Sequence, residues 1–169
     1  EDFRVSFDIK TFNVLEAARK HEIKRMVYAS TIMTTWGYAK YVEPYKSIFE
    51  ERIKDIPKDF ECVTHDDPIR PTEPYSMSKV WAEGACRTYA DAHGLSVICL
   101  RIGWVNKENE AQGLFSNSIW CSHRDIVHSF EKALDRTSDP LYGVCYAVSN
   151  NNYRWVDLTH ADKLTGFVP

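Results

Sequence analysis

The sequence predicts an α/β protein, part of a doubly wound parallel sheet. Three observations carry that prediction. Short apolar runs, Met26-Val27-Tyr28-Ala29, Val97-Ile98-Cys99-Leu100 and Val144-Cys145-Tyr146-Ala147-Val148, have the length and unbroken hydrophobicity of strands covered on both faces. Stretches with apolar residues at helical spacing alternate with those runs. Capping and turn residues stand at the joints between them. Helix feeding buried strand, repeated and closed by a last helix, is the pattern of a sheet with helices on both faces.

The elements follow in order. Asp8 is placed to cap a helix running to about His21, with Phe12, Leu15 and Ala18 spaced to face a core and Lys20 and His21 suited to its C-terminal dipole. The Met26 strand then delivers Ser30 and Thr31 to its C-terminal end, and open α/β sheets bind ligands outside the carboxyl ends of their strands. Plain end-of-strand hydrogen bonding is the alternative for both hydroxyls. From Thr34 to Arg70 the pattern loosens under Pro44, Pro57, Pro68 and Pro71, and Ile48, Phe49, Ile53 and Ile56 suggest one amphipathic helix within a lid or surface elaboration. Trp36, Tyr38, Lys40, Tyr41, Tyr45 and Lys46 either line a substrate mouth or form a solvated face.

The stretch from Pro74 to Gly94 carries the chemistry. Thr72 is placed as its cap, Pro74 suits a first turn, and His93-Gly94 suits an end. Trp81, Ala85, Tyr89 and Ala92 mark an apolar stripe. Tyr75 and Lys79, four residues apart, share a helical face. An ammonium beside a phenol favours the phenolate, which can exchange a proton with a substrate hydroxyl. The spacing alone is weak, because an ordinary helix with a Tyr and a solvated Lys has it too.

After the Val97 strand, Arg101-Ile102-Gly103-Trp104 turns out of the sheet, and Gly103 would let the backbone come close to a ligand. Residues 105–118 show no periodicity and read as loop. Ser122-His123-Arg124-Asp125 fits a capping box for a helix to about Leu134, with substrate contact by His123 or Arg124 as the alternative. The third strand leads through Ser149-Asn150-Asn151-Asn152 to a final helix near Trp155 to Leu164.

The 169 residues suffice for one domain, and a net charge of −3 offers no broad cationic field for nucleic acid or anionic lipid. No apolar run reaches the ~18 residues of a membrane span. Five cysteines with no C-x-x-C spacing read as reduced, mostly buried thiols of a cytoplasmic protein, and the scattered histidines suggest no metal site. Glu1-Asp2-Phe3-Arg4 shows neither an initiator Met nor a signal-peptide pattern, so the expectation is a sequence that begins partway through a longer one.

Four stretches now carry a resemblance: Thr11-Phe12-Asn13-Val14-Leu15-Glu16-Ala17-Ala18, Arg25-Met26-Val27-Tyr28-Ala29-Ser30-Thr31, Tyr75-Ser76-Met77-Ser78-Lys79 and Leu100-Arg101-Ile102-Gly103. In this order they resemble landmarks of the extended short-chain dehydrogenase/reductases of the NAD-dependent epimerase/dehydratase type, and among those the uronate-dehydrogenase-like enzymes. The resemblance implies the C-terminal part of a Rossmann-like sheet: residues 1–169 as a partial NAD(P)-binding domain, with a small substrate-binding portion at 104–169. It implies Tyr75 as acid/base, Lys79 as the cation that holds the nicotinamide ribose and favours the phenolate, and Thr31 as the hydroxyl on the reacting oxygen. Ser30, Tyr75, Lys79, Ile102 and Gly103 would lie along the NAD or NADP, and Thr31, Met33 and Trp104 against the substrate. A homodimer packed through the helices at about 8–21 and 75–93 is implied as well.

The departures matter equally. The family's G-x-x-G-x-x-G loop is absent, so the N-terminal Gly-rich βαβ unit is missing and the pyrophosphate lacks its cradle. Where uronate dehydrogenases carry a His, a Ser and an Arg, this sequence has Met33, Trp104 and Gly113, which puts a carboxylate-bearing sugar acid in doubt as substrate. About 65 residues follow Trp104, too few for the large lid of nucleotide-sugar enzymes. The expected function is an NAD(P)-dependent oxidoreductase taking a hydride from a small sugar or sugar-acid-like hydroxyl substrate. The alternatives are an epimerase/dehydratase of the same family and a non-catalytic fragment unable to bind the dinucleotide alone.

Overall fold

The computed structural model describes residues 3–135 and 141–169. Its elements are α1 (Phe3–Lys20), β1 (Arg25–Thr31), α2 (Trp36–Tyr41), α3 (Tyr45–Phe49), α4 (Pro74–His93), β2 (Ser96–Ile102), α5 (Gly113–Ser118), α6 (His123–Asp135), β3 (Tyr142–Ala147) and α7 (Thr159–Thr165). The three strands form one parallel sheet in the order β1-β2-β3, with Thr31 opposite Ile102 and Ile102 opposite Ala147. The expected α/β class and its parallel sheet are therefore present.

Strand alternation divides β2 between two cores. Val97 and Cys99 pack with Leu15 and Ala18 of α1 and Cys86 and Tyr89 of α4. Ile98 and Leu100 face the other way, onto Ala133 of α6 and Ala161, Leu164 and Phe167 of α7 and its tail. A third cluster caps the carboxyl end of the sheet with Ile32, Ile48, Val63, Ile119, Tyr146 and Trp155. All five cysteines are free, and four are buried.

Several local expectations change. Asp8 lies inside α1, which already runs from Phe3 because nothing between those residues breaks a helix. Phe12 is exposed, while Leu15 and Ala18 are buried. On α4, Trp81 and Ala92 are exposed and Ala82, Cys86, Tyr89 and Ala90 form the buried face, so the stripe is rotated from the one expected. The amphipathic helix expected from Ile48, Phe49, Ile53 and Ile56 is instead the end of α3 followed by a 3-10 turn at Ile53–Asp55, with Ile48 buried and Ile53 exposed. Residues 105–118 hold α5, and Trp155 precedes α7 in an extended segment whose carbonyl accepts the Val63 amide at 2.8 Å. The aromatic residues of the 36–45 segment mostly form neither mouth nor solvated face. Trp36 packs edge-on against Phe49, Phe115 and Trp155, and Tyr45 edge-on against Tyr38 and Phe60 and tilted against Trp155, at centroid separations of 4.8 to 6.4 Å for this set with Phe49–Phe115. Edge-to-face rings add to their area burial.

Trp155 is the hub of this cluster and fully buried. Trp155→Ala is expected to cost about 3–5 kcal/mol, measured by urea unfolding. A second expectation concerns acid. Glu16 of α1 accepts both Arg19 guanidinium bonds at 3.0 Å and the Tyr89 hydroxyl of α4 at 2.6 Å. The Arg19 bond first, then the Tyr89 bond, hold its carboxyl down at about 2 against an ordinary 4.5. A depressed acid stabilises the fold above its unfolded pKa and loses that contribution as pH falls through the folded one. The stability gap between wild type and Glu16→Gln should therefore be full above pH 4.5 and close as pH approaches 2.

Candidate active site

The site is built where β1 ends and α4 begins. Glu73, not Thr72, caps α4: its carboxylate accepts from the Ser76 amide, and Ser76 Oγ accepts from the Glu73 amide at 3.2 Å. Pro74 occupies the first turn, and Gly94 ends the helix at φ 67°. This start fixes Tyr75 and Lys79 one turn apart. The Lys79 ammonium donates to the Ala29 carbonyl of β1 at 2.8 Å. It lies 5.0 Å from the Tyr28 ring centroid and 5.7 Å from that of Tyr75, within cation–π range of both. Burial lowers the pKa of Lys79 and raises that of Tyr28.

Thr31 closes β1 and is buried, and its Oγ1 accepts the Met33 amide at 3.3 Å to open the 3-10 turn Ile32–Thr35. An Oγ1 that already accepts is oriented to donate its own proton elsewhere. Half-buried Met33 packs against the cluster at the sheet's carboxyl end. Ala29, Thr31 and Lys79 are thereby brought to one edge of the sheet, with Tyr75 beside the lysine.

Ser30 is engaged in the protein interior. Its hydroxyl donates to Glu83 Oε1 at 2.6 Å, and Glu83 is gripped by Arg101 of β2, Nε to Oε1 at 3.0 Å and Nη2 to Oε2 at 2.9 Å. Both charged side chains are buried, at 4% and 7% exposure. Burial opposes the Arg101 charge, yet its pKa ends raised because the Glu83 carboxylate is so close. The guanidinium also stands 5.6 Å from the Tyr146 ring centroid. Glu83 was missed by the sequence reading. Its signal was available: it lies one turn past Lys79, between Ala82 and Cys86, on a face a solvated Glu would avoid.

Gly103 is required by the chain's own packing. A Cβ there would run into the Ile119 carbonyl and Val148, so the close approach is to backbone and core, not to open ligand space. Its amide donates to the Ala147 carbonyl at 3.0 Å. Trp104 follows with its backbone held by Ile119 and Cys121 and its side chain 53% exposed. His123 and Arg124 are occupied by Asn106 and Asp125, and Ser122 Oγ caps α6 through the Asp125 amide at 3.0 Å.

Residues 9–112 match the family model described as the NAD dependent epimerase/dehydratase family. The chain belongs to that family. It is 31% identical to L-arabinose 1-dehydrogenase (NAD(P)(+)) of Haloferax volcanii, covering 94% of this chain and 63% of that protein. It is 32% identical to the uronate dehydrogenase of Pseudomonas putida, covering 94% of this chain and 50% of that one. Among solved structures, uronate dehydrogenase from Agrobacterium tumefaciens is similar with a TM-score of 0.73 and 26% identity over 94% of this chain and 51% of that chain. The chain thus spans 63% and 50% of the length of these two curated relatives.

Glu83→Ala in this family member leaves Arg101 as an uncompensated buried charge, and should cost about 3–5 kcal/mol by chemical denaturation. Replacing both partners with apolar residues of similar volume, Glu83→Leu with Arg101→Met, should recover most of that loss.

Proposed function

We propose that the whole protein is an NAD(P)-dependent oxidoreductase acting on a hydroxyl of a small sugar or sugar acid. The observation that carries this reading is the Tyr75–Lys79 pair seated against the Ala29 carbonyl at the carboxyl edge of the sheet, beside Thr31. The relatives' names support the substrate class. Tyr75 is the base that takes the proton of the substrate hydroxyl as the carbon bearing it gives up a hydride and becomes a carbonyl. Thr31 donates to the same oxygen and orients it. Hydride acceptance is supplied by NAD or NADP when bound.

The residues present suit one end of that cofactor. Lys79 would hold the ribose hydroxyls of that cofactor, and Ile102 would lie toward its nicotinamide end. The diphosphate end finds no glycine-rich turn among the described residues. Of the chain's glycines, those with positive φ end α4 and α7 or open α5, and none forms a turn that aims amides at a phosphate. Titration of this chain alone with NAD and NADP is accordingly expected to show no tight binding. The exposed Ile9, Phe12, Met77 and Trp81 of α1 and α4 are the apolar surface that a homodimer of the whole protein would cover.

In the whole protein, Tyr75→Phe should lower turnover by about 10²–10⁴ with an unchanged circular-dichroism spectrum. Retained turnover would overturn the assignment of Tyr75. Sugar conversion without net NAD(P)H would identify an epimerase instead.

A further inference from the structure

Tyr28 and Ser30 stand two residues apart on β1, so both side chains leave the face that α4 covers. Ser30 meets Glu83 there, and the Tyr28 ring meets Lys79, one turn earlier on the helix. Half-buried Tyr28 packs against the cluster that holds Leu15 of α1, Cys86 of α4 and Cys99 of β2. Its hydroxyl shares a hydrogen bond with the Thr11 side chain of α1. The ring is thus fixed at both ends, by its own strand and by α1, before Lys79 is considered.

Lys79 brings a charge into this surrounding, and burial holds its pKa below that of an ordinary lysine. Three contacts work the other way. The Ala29 carbonyl accepts from the ammonium at 2.8 Å, and the Tyr28 and Tyr75 rings turn electron-rich faces to it at 5.0 and 5.7 Å. Tyr75 belongs to the reacting pair, whereas Tyr28 does not. Burial pushes the Tyr28 phenol up, so it offers Lys79 a neutral ring and not a second ionised oxygen. The other titratable groups that act on Tyr28 are Tyr75 and Cys86 of α4 and Cys99 of β2, and α1 contributes the Thr11 hydroxyl. The bond to Cys86 and burial both raise the Cys99 thiol. Glu83 is already taken up by Ser30 and Arg101.

We propose that Tyr28 is a positioning residue for Lys79: its ring, pinned by Thr11, holds the ammonium against β1 and keeps it charged next to Tyr75. The proposal rests on the oxidoreductase reading above, in which Lys79 would hold the ribose hydroxyls of the cofactor. Tyr28 acts through Lys79 and has no part in the proton transfer itself. An aliphatic side chain fills much of the same space without a quadrupole, so it removes the attraction and leaves the burial that opposes the charge. Phenylalanine keeps the ring face and gives up only the Thr11 bond.

The test uses the whole protein in two measurements. Side-chain NMR of isotope-labelled lysines, with Lys79→Arg for assignment, follows the Lys79 titration without reference to activity, and kcat/KM is measured against pH with the cofactor. In Tyr28→Leu the Lys79 pKa and the high-pH limb of kcat/KM should both fall by about one pH unit, a loss of about tenfold on the alkaline side. Tyr28→Phe should keep both near their wild-type positions. Should Tyr28→Leu fail to fold, Tyr28→Met provides the same comparison. An unmoved Lys79 titration in the folded aliphatic variant overturns the proposal, as does a Tyr28→Phe displacement equal to that of the aliphatic variant. A fall in kcat/KM that is even across pH overturns it too, because that is the mark of a structural role alone. If Lys79 responds as expected while Tyr75→Phe keeps its turnover, the oxidoreductase reading fails and the positioning stands. If turnover needs Tyr75 but Lys79 does not respond, the positioning alone fails.

Discussion

The ion pair between Glu83 and Arg101 is the constraint on which the site depends. It is bidentate, buried, and shared with the Ser30 hydroxyl, so a single carboxylate ties α4 to the C-terminal ends of both β1 and β2. Such a pair adds little net stability compared with well-packed apolar side chains, because two charges must be taken out of water. Its effect is one of specification. A helix packed only by Ala82, Cys86 and Ala90 could slide or rotate on a smooth apolar strand at small cost. A carboxylate that must meet a guanidinium and a hydroxyl leaves one position, and in that position Lys79, one turn earlier, reaches the Ala29 carbonyl.

The same constraint separates two hydroxyls that the sequence places side by side. Ser30 and Thr31 are adjacent in β1, and successive strand residues face opposite ways. Ser30 points to the buried carboxylate and is consumed by it, whereas Thr31 closes the strand and turns the chain into the 3-10 segment through the Met33 amide. Their shared position at a strand end made both candidates for ligand contact. Only the location of Glu83 distinguishes them, and that information is long-range.

How much was legible follows from this difference between local and distant causes. The alternation of strands and helices, the Tyr75–Lys79 spacing and the exit of Thr31 at a strand end depend on residues close in sequence, and each is found where the pattern put it. The cap of α4 was misplaced because Glu73 and Ser76 reverse the usual Ser-x-x-Glu order of a capping box. Trp155 was expected at the start of the final helix, after the Ser149–Asn152 turn. In the fold it belongs to an aromatic cluster assembled from residues 36, 45, 49, 60 and 115, and the Val63 amide takes its carbonyl. Gly103 was read as space for a ligand because glycine signals close approach without naming what approaches. Here that neighbour is Ile119, sixteen residues on.

The aromatic cluster also explains how the excursion between β1 and α4 reaches the site without lining it. Phe49 of α3 packs edge-on against Phe115 of α5 at 4.8 Å, and Glu51 fixes the Phe115 amide, so the excursion positions a wall of a cavity beside Trp104 from behind. The loop after β2 is secured separately, by Asn106 and His123. Tyr75 and Lys79 are thus held by one network, through α4 and the sheet, and the cavity beside Trp104 by another, through α3, α5 and the N-terminus of α6. Two networks with no hydrogen bond in common among those described can change independently, since sites that share no partners contribute additively.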